Sequence, residues 1–384
     1  MTDIPKLAII ITHPIQYYSP LFNLINERDN IKIKVFYTWE RGAGSFDQGF
    51  GKNVDWDIPL LKGYNFEFIS NNGVKKRGFW DLKNPALNGS ISKWGATHLL
   101  VFGWNYYSHL KAMRHFKGKI PVLFRGDSHL LNEKIGLKRF VRRITLNWIY
   151  KFIDTALFVG TNNKAYFLKH GLKANQLVFA PHAIDNDRFS GAKYQHLDEE
   201  VSNTRSKLGI KETDIVFSYI GKLEDVKQVD LLVEAFKNLK NRNIKLLIVG
   251  NGKNETEIKY ASQTDNRILF MDFQNQSAMP AIYRIADFYV LPSKSETWGL
   301  AVNEAFACGR PAILSDKVGC AVDLIQEGET GFVFKSGSVV DLNDKLNQAI
   351  YSDHRVMGLK AFNLIQSWSF DSIANSLEQL CKNV

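Results

Sequence analysis

The sequence predicts an α/β protein of two domains, each built on a parallel sheet. Three observations carry this. The chain has 384 residues, more than one hydrophobic core usually organises. Short β-rich runs alternate with amphipathic segments along almost its whole length. The alternation is broken once, by the polar stretch Ser190 to Thr213, which holds Gly191, Asp198, Glu199 and Glu200 and little apolar material.

The first series of strands is expected at Leu7–Thr12, Ile31–Tyr37, Phe66–Ser70, His98–Phe102, Pro121–Phe124, Ala156–Val159 and Leu177–Ala180. Amphipathic segments such as Tyr106–Phe116 and Asn162–His170 lie between them. The second series is Ile215–Ile220, Ile244–Val249, Ile268–Met271, Phe288–Leu291, Ala312–Leu314 and Phe332–Phe334, with helices at Val229–Leu239 and Ala278–Ala286. Helical patterning closes the chain over Val339–Tyr351, His354–Ser367 and Phe370–Leu380. The expected division is therefore 1–189, a linker at 190–212, 213–368, and a terminal helix at 369–384. Ligands of open α/β sheets bind at the carboxyl ends of strands, so the motifs that matter should follow strands.

Hydrophobic content of 45% and charged content of 23% are globular values. Cys308, Cys320 and Cys381 show neither paired nor metal-ligand spacing, which fits a reducing compartment. The early apolar run Leu7–Ile11 is too short for a signal peptide or a membrane span. A cytoplasmic protein is expected, peripheral at the inner membrane face at most. The formal charge of +10 favours anionic partners and says nothing about fold.

The densest chemistry lies in Ser293–Gly309. Glu296 and Glu304 stand seven residues apart, on either side of a helix start at Gly299 and Leu300. Gly309 and Pro311 end that helix. A glycine at a helix start admits a ligand close to the backbone, and free N–H groups there attract phosphate. The bland alternative is a buried helix with two solvated glutamates, which a carboxylate in the middle of an apolar helix disfavours. Next, strand Ile215–Ile220 runs into Gly221-Lys222 and, five residues on, Lys227. Positioned cations can neutralise a leaving diphosphate. Taken alone, two solvated loop lysines explain that pattern equally well. Third, Gly250-Asn251-Gly252 begins a dinucleotide fingerprint that fails at Glu255, which leaves a tight strand-to-helix turn lining a nucleotide site and argues against a nicotinamide dehydrogenase.

From about Ile153 to Gly358, these residues resemble the retaining, nucleotide-sugar-dependent glycosyltransferases of family 4, group 1. Pro181-His182-Ala183-Ile184-Asp185 with Phe189 is similar to that family's P-N-G-V-D-x-x-x-F segment. Gly221-Lys222 with Lys227 is similar to its phosphate site, Glu296 to Glu304 to its E-x7-E motif, and Asp316–Gly319 and Gly328–Phe332 to its downstream turns. The resemblance implies a GT-B fold, two Rossmann-like domains facing across a cleft with the terminal helix packing back on the amino-terminal domain. It also implies that Glu296 contacts donor-sugar hydroxyls and Glu304 the ribose. Lys222, Lys227 and the amides near Gly299 and Leu300 would hold the diphosphate. The departures are Lys222 for arginine, His182 and Ala183 for asparagine and glycine, Gln228 for glycine and Cys320 for glycine.

The amino-terminal half departs further. His13-Pro14-Ile15-Gln16 replaces a glycine-rich loop, and Arg125-Gly126-Asp127-Ser128-His129 stands where relatives often carry a His-Asp pair. Asp127 is the candidate for assisting the acceptor's deprotonation. His13, Gln16, His129 and Trp104 are candidates for binding the acceptor. Structural roles, hydrogen-bonded for the histidines and core packing for Trp104, remain open beside these.

Asp55-x-Asp57 and Asp185-x-Asp187 each offer only two oxygen ligands, so no metal and no resident cofactor are expected. Lys134, Lys138 and Arg142 recur every four residues in Lys134–Lys151, with Ile135, Val141, Ile144, Trp148 and Phe152 as their apolar complement. This predicts either the solvated face of a core helix or a basic helix on an anionic membrane surface. Lys75-Lys76-Arg77 with Phe79 and Trp80 is a second basic-aromatic cluster. The expected activity is retaining transfer of a sugar from a UDP- or GDP-linked donor to a hydroxyl of a glycan or lipid-linked glycan. The alternatives are a nucleotide-sugar epimerase of similar fold and a basic nucleic-acid-binding protein. The latter lacks any recognisable module.

Overall fold

Strands apolar on both faces must be covered on both faces, and that requirement sets the architecture. The computed structural model describes residues 4–39, 45–47, 52–71, 78–133, 136–191 and 196–382, with the backbone only at 45–47 and 52–54. In chain order the elements are β1 (Lys6–Ile11), α1 (Ser19–Arg28), β2 (Lys32–Tyr37), β3 (Ser45–Asp47), β4 (Lys52–Val54), β5 (Asn65–Phe68), α2 (Leu87–Trp94), β6 (His98–Phe102), α3 (Tyr107–Phe116), β7 (Val122–Arg125), α4 (Leu137–Ile149), β8 (Thr155–Phe158), α5 (Thr161–Lys169) and β9 (Leu177–Phe179). They continue with α6 (Asn186–Ser190), α7 (Leu197–Lys207), β10 (Ile215–Ile220), α8 (Val229–Lys237), β11 (Ile244–Val249), α9 (Glu255–Ser262), β12 (Ile268–Met271), α10 (Met279–Ile285) and β13 (Phe288–Leu291). The last are α11 (Leu300–Ala307), β14 (Ala312–Ser315), α12 (Ala321–Leu324), β15 (Gly331–Phe334), α13 (Val339–Ile350), α14 (His354–Ile365) and α15 (Phe370–Lys382). Every strand expected from the sequence forms, and the pair β3 and β4 is an addition that the patterning did not reveal.

Contacts divide the chain into two units, Met1–Ser45 with Ile58–His182 and Phe370–Val384, and Phe46–Asp57 with Ala183–Ser369. The division falls at His182/Ala183 rather than in the polar stretch 190–212. Much of that stretch is helix α7, which packs on α10 inside the second unit.

The first unit holds a seven-stranded sheet in the order β5-β2-β1-β6-β7-β8-β9, with every described neighbour parallel. The interior strand β1, Lys-Leu-Ala-Ile-Ile-Ile, is buried from its second residue onward. Its side chains and those of β6 and β7 join Leu110, Ala112, Met113 and Phe116 of α3 in one core. Helix α15 completes this unit. Its buried residues Phe370, Ile373, Ala374, Leu377 and Cys381 fall on one helical stripe. It packs on α1 and β9, where Arg28, closing α1, pairs with Asp371 and Glu378 and donates to Asn375 at 2.8 Å.

The second unit holds a six-stranded parallel sheet in the order β12-β11-β10-β13-β14-β15. The order reverses between β10 and β13. In doubly wound sheets that reversal opens a crevice at the strand carboxyl ends. In the first unit the corresponding reversal lies between β1 and β6.

In helix α4 the apolar complement of the basic stripe faces outward: Val141, Ile144 and Trp148 are exposed, while Leu146 and Ile149 face the core. Lys134, Ile135 and the Lys75-Lys76-Arg77 cluster lie outside the described residues. Among the described residues no helix is long and apolar enough to cross a membrane.

The carboxyl ends of β2 and β6 are tied together by a side chain that belongs to no motif. His109 of α3 is fully buried. Its Nδ1 lies 3.0 Å from the Gly103 carbonyl oxygen and 3.2 Å from that of Phe102, so Nδ1 carries the proton. Its Nε2 then accepts from the Thr38 hydroxyl at 2.9 Å. Burial pulls the imidazole pKa down to about 4, against the opposite pull of the two carbonyls. An unfolded histidine titrates near 6.5. The stabilisation is therefore complete above that value and is lost as pH falls from about 6.5 to 4, with a limit on the order of 3 kcal/mol. We predict that the melting-temperature gap between the wild type and His109→Gln narrows over this window. A gap that stays constant or widens would contradict the assignment.

Candidate functional site

In the second unit the candidate donor residues assemble at the sheet reversal. Gly221, Lys222 and Lys227 follow β10, and Glu296 follows β13. The two loops are joined by a backbone hydrogen bond from Lys294 N to Val226 O at 3.0 Å. Across this junction the Lys227 ammonium donates directly to the Glu296 carboxylate, and both side chains are about one-fifth exposed. The lysine that the spacing assigned to a phosphate thus already holds the carboxylate assigned to a sugar.

Glu296 is also fixed through its backbone. The segment after β14 runs parallel to it, with Glu296 N donating to Lys317 O at 3.2 Å, Gly319 N to Glu296 O at 3.0 Å and Cys320 N to Trp298 O at 3.0 Å. A Cβ on Gly319 would sit 1.9 Å from the Thr297 carbonyl oxygen, so only glycine permits this approach. Trp298 is buried against Trp368 at 5.0 Å between ring centroids, and its indole N–H donates to Asn303 Oδ1 at 2.9 Å. Gly299 then turns the chain into α11 at φ 99°, a left-handed conformation in which Leu291 and Val318 would crowd any side chain. The opening amides of α11, at Leu300 and Ala301, precede the first possible intrahelical acceptor and point out of the helix start.

Glu304 sits one turn into α11 and is 3% exposed. Its Oε2 accepts a 2.6 Å hydrogen bond from the hydroxyl of Tyr283, itself buried in α10. The spacing placed this carboxylate correctly on the helix but could not reveal its burial or its tyrosine partner.

The failed fingerprint at Gly250-Asn251-Gly252 has a packing explanation. Gly221 N donates to Val249 O at 3.0 Å, Leu223 N to Asn251 O at 3.0 Å, and Asn254 N to Leu223 O at 3.0 Å. A Cβ on Gly250 would lie 2.1 Å from Gly221 O, and one on Gly252 within 2.4 Å of Leu223 O. The glycines let two strand-end loops cross in contact and so position Gly221-Lys222. Gln228, in the family's glycine position, has φ 50° and caps α8 in the left-handed region.

In the first unit, His13 and Trp104 follow β1 and β6 at the sheet reversal, and Asp127 follows β7. His13 Nδ1 is 2.8 Å from Thr12 Oγ1, and the ring meets Trp39 edge-on. Gln16 lies in the turn before α1. Trp104 packs partly against the core. His129 Nδ1 accepts from Leu131 N at 3.1 Å, so the ring braces its own loop. Asp127 has a half-exposed side chain with an oxygen 3.9 Å from His182 Nε2. His182 is buried, and burial lowers its pKa while Asp127 draws it back up. The sequence registered His182 only as a departure; its neighbour became visible with the fold. Arg125, also buried, holds the same loop by donating to Ala180 O and Pro181 O, both at 2.7 Å.

Residues of both D-x-D strings make contacts within the protein. The Asp55 carbonyl accepts from Asn275 at 2.7 Å, the Asp57 carboxylate accepts from Ser277 N at 3.1 Å, and Asp185 caps α6 by accepting from Arg188 N at 3.0 Å. No group of three or more metal-ligating side chains occurs among the described residues. Burial pushes the Cys308 thiol up to about 12, which excludes it as a nucleophile near neutral pH.

Residues 200–360 match the family model described as Glycosyl transferases group 1. A group 1 glycosyltransferase domain is therefore present. Over 215 residues, 50% of this chain and 56% of that protein, the sequence is 28% identical to N-acetyl-alpha-D-glucosaminyl L-malate synthase of Bacillus anthracis. The chain spans about half the length of the curated relatives it matches. A glycosyltransferase from Rickettsia africae superposes with a TM-score of 0.75 at 15% identity, over 99% of this chain and 98% of that one. Anabaena HepE, solved in complex with UDP and glucose, superposes with a TM-score of 0.71 at 16% identity, over 99% and 100%. These likenesses, with the two parallel sheets, establish the GT-B fold. The Lys227–Glu296 pair and the Gly299 helix start both lie within the matched group 1 domain.

Two predictions follow from this geometry. Glu304→Ala removes the carboxylate to which the buried Tyr283 hydroxyl donates and should cost about 1–3 kcal/mol in denaturant unfolding, whereas Glu304→Gln, which keeps an acceptor, should cost less. Equal losses would mean that the Tyr283 bond contributes little. Gly250→Ala forces apart the crossing loops and should lower the melting temperature; an unchanged value would show that the crossing is not needed.

Proposed function

We propose that this protein is a retaining glycosyltransferase. It moves a sugar from a nucleoside-diphosphate donor, UDP- or GDP-linked, to a hydroxyl of a glycan or lipid-linked glycan in the cytoplasm. The observation that carries this reading is the convergence of Lys227, Glu296 and the α11 amino terminus at the sheet reversal of a group 1 domain. Lys222, Lys227 and the opening amides of α11 stabilise the departing diphosphate, so no metal is required. Glu296 orients the donor-sugar hydroxyls and Glu304 the ribose. The bond from the anomeric carbon to the diphosphate oxygen breaks, and the acceptor oxygen bonds on the same face with loss of its proton. Asp127 is the carboxylate assigned to that proton. His13, Gln16 and Trp104 are assigned to acceptor binding, and His129 to the loop that holds Asp127. The binding of UDP and glucose by the structurally similar HepE supports the nucleotide-sugar assignment.

The ion pair adds a specific step to this reading. Donor entry must redistribute the Lys227 ammonium between Glu296 and the diphosphate, and both partners gain from a shared cation. A panel of nucleotide sugars, assayed for turnover with and without chelator, tests the proposal. Turnover of at least one donor, insensitive to chelator, is expected, with the anomeric configuration kept in the product. Lys227→Ala and Glu296→Gln should each lower kcat/KM by about a hundredfold or more. Near-wild-type turnover in both variants, or inversion of the anomeric centre, would overturn it.

A further inference from the structure

We propose that α4 seats the protein on an anionic bilayer surface, with its outward apolar face inserted among the lipid headgroups. The face consists of Leu137, Phe140, Val141, Ile144 and Trp148, which are 78, 62, 55, 55 and 43% exposed. At 100° per residue these five positions fall within an arc of about 100°. The helix needs none of them to hold its place, because Leu146 and Ile149, with Tyr150 just beyond, are buried on the opposite side. A soluble surface rarely gathers five large apolar side chains on one face of one helix without a partner.

The charge around the face selects the partner. Helix α4, Leu-Lys-Arg-Phe-Val-Arg-Arg-Ile-Thr-Leu-Asn-Trp-Ile, contains no acidic residue. Lys138 and Arg143 are exposed on either side of the apolar arc, Lys151 follows beyond the helix, and Arg142 turns back over the Tyr166 ring at 5.6 Å. The nearest preceding acid, Glu133, is already paired with Arg139 at 3.0 Å. Arg114 lies over the Trp148 and Phe152 rings at 5.5 and 5.6 Å, adding positive charge at the far end of the face. An apolar strip edged by cations on both sides complements a layer whose headgroups are anionic and whose interior is apolar. A helix of 13 residues is about 20 Å long and too polar on its flanks to cross a bilayer; it lies in the plane of the interface. A protein partner burying the same face would have to be acidic at its rim, and a second copy of α4 would bring like charges together.

This inference is independent of the donor-site assignments. It predicts where an acceptor carried by a lipid would meet the protein. The test is co-sedimentation of the full chain with phosphatidylcholine vesicles containing phosphatidylglycerol, with phosphatidylcholine vesicles alone as the control, each at low and high salt. The double variant Phe140→Ser/Ile144→Ser removes apolar contact and keeps every charge. Lys138→Gln/Arg143→Gln does the reverse. Binding to the anionic vesicles alone, weakened about tenfold or more by either double variant and by salt, is expected. Circular dichroism and melting temperature should be unchanged in both, because none of the four side chains is buried. Failure of the wild type to bind anionic vesicles, or full retention of binding by the serine variant, would overturn the proposal. So would a dimer, detected by light scattering, that the serine variant dissolves, since the face would then belong to a second copy.

Discussion

The second unit depends on two chain segments passing each other with no side chain between them. Gly221–Leu223, leaving β10, runs against Val249–Gly252, leaving β11, and the glycines at 250 and 252 are what make that distance possible. A backbone held on both sides by hydrogen bonds has little freedom, and Lys222 inherits its position from it. The same device recurs at Gly319, where the segment after β14 is laced to Glu296. Both the cationic and the carboxylate sides of the site are thus fixed by main-chain contact, which costs no side-chain entropy on ligand binding.

Charge is arranged on that frame in two different ways. Lys227 and Glu296 are partly solvated and pair with each other. Their mutual attraction is therefore moderate. Glu304 is different, because it is buried and answered by a neutral phenol. A carboxylate in that setting is sensitive to anything that removes its hydrogen-bond partner. The two glutamates look alike in sequence, yet one sits in a polar opening and the other in the packed body of the domain.

How much of this was legible in the sequence follows from the signals available. Strands such as β1 and β10 announce themselves because continuous Ile, Val, Leu and Phe runs are needed where both faces are covered. The ordered succession of Gly221-Lys222, Lys227, Glu296 and Glu304 marked the candidate site of the second unit. The orientation of α4 was not legible, because its sequence carries two apolar stripes and periodicity cannot say which one meets the core. Asp127 and His182 are 55 positions apart in the chain, and only the sheet order places the loops after β7 and β9 near each other. The glycines at 250 and 252 suggested a nucleotide fingerprint because the pattern is the same whether the close neighbour is a phosphate or another stretch of backbone.

The chain order of the two units has a consequence for synthesis. Arg28 near the start finds Asp371 only 343 positions later, and Asp55 and Asp57 find Asn275 and Ser277 after 220. A ribosome therefore releases the whole second unit before the first can close over α15. During that interval the surfaces of α1 and β9 that meet α15 await their cover. A truncation that removes α15 uncovers those surfaces of the first unit while leaving the group 1 domain's own sheet intact.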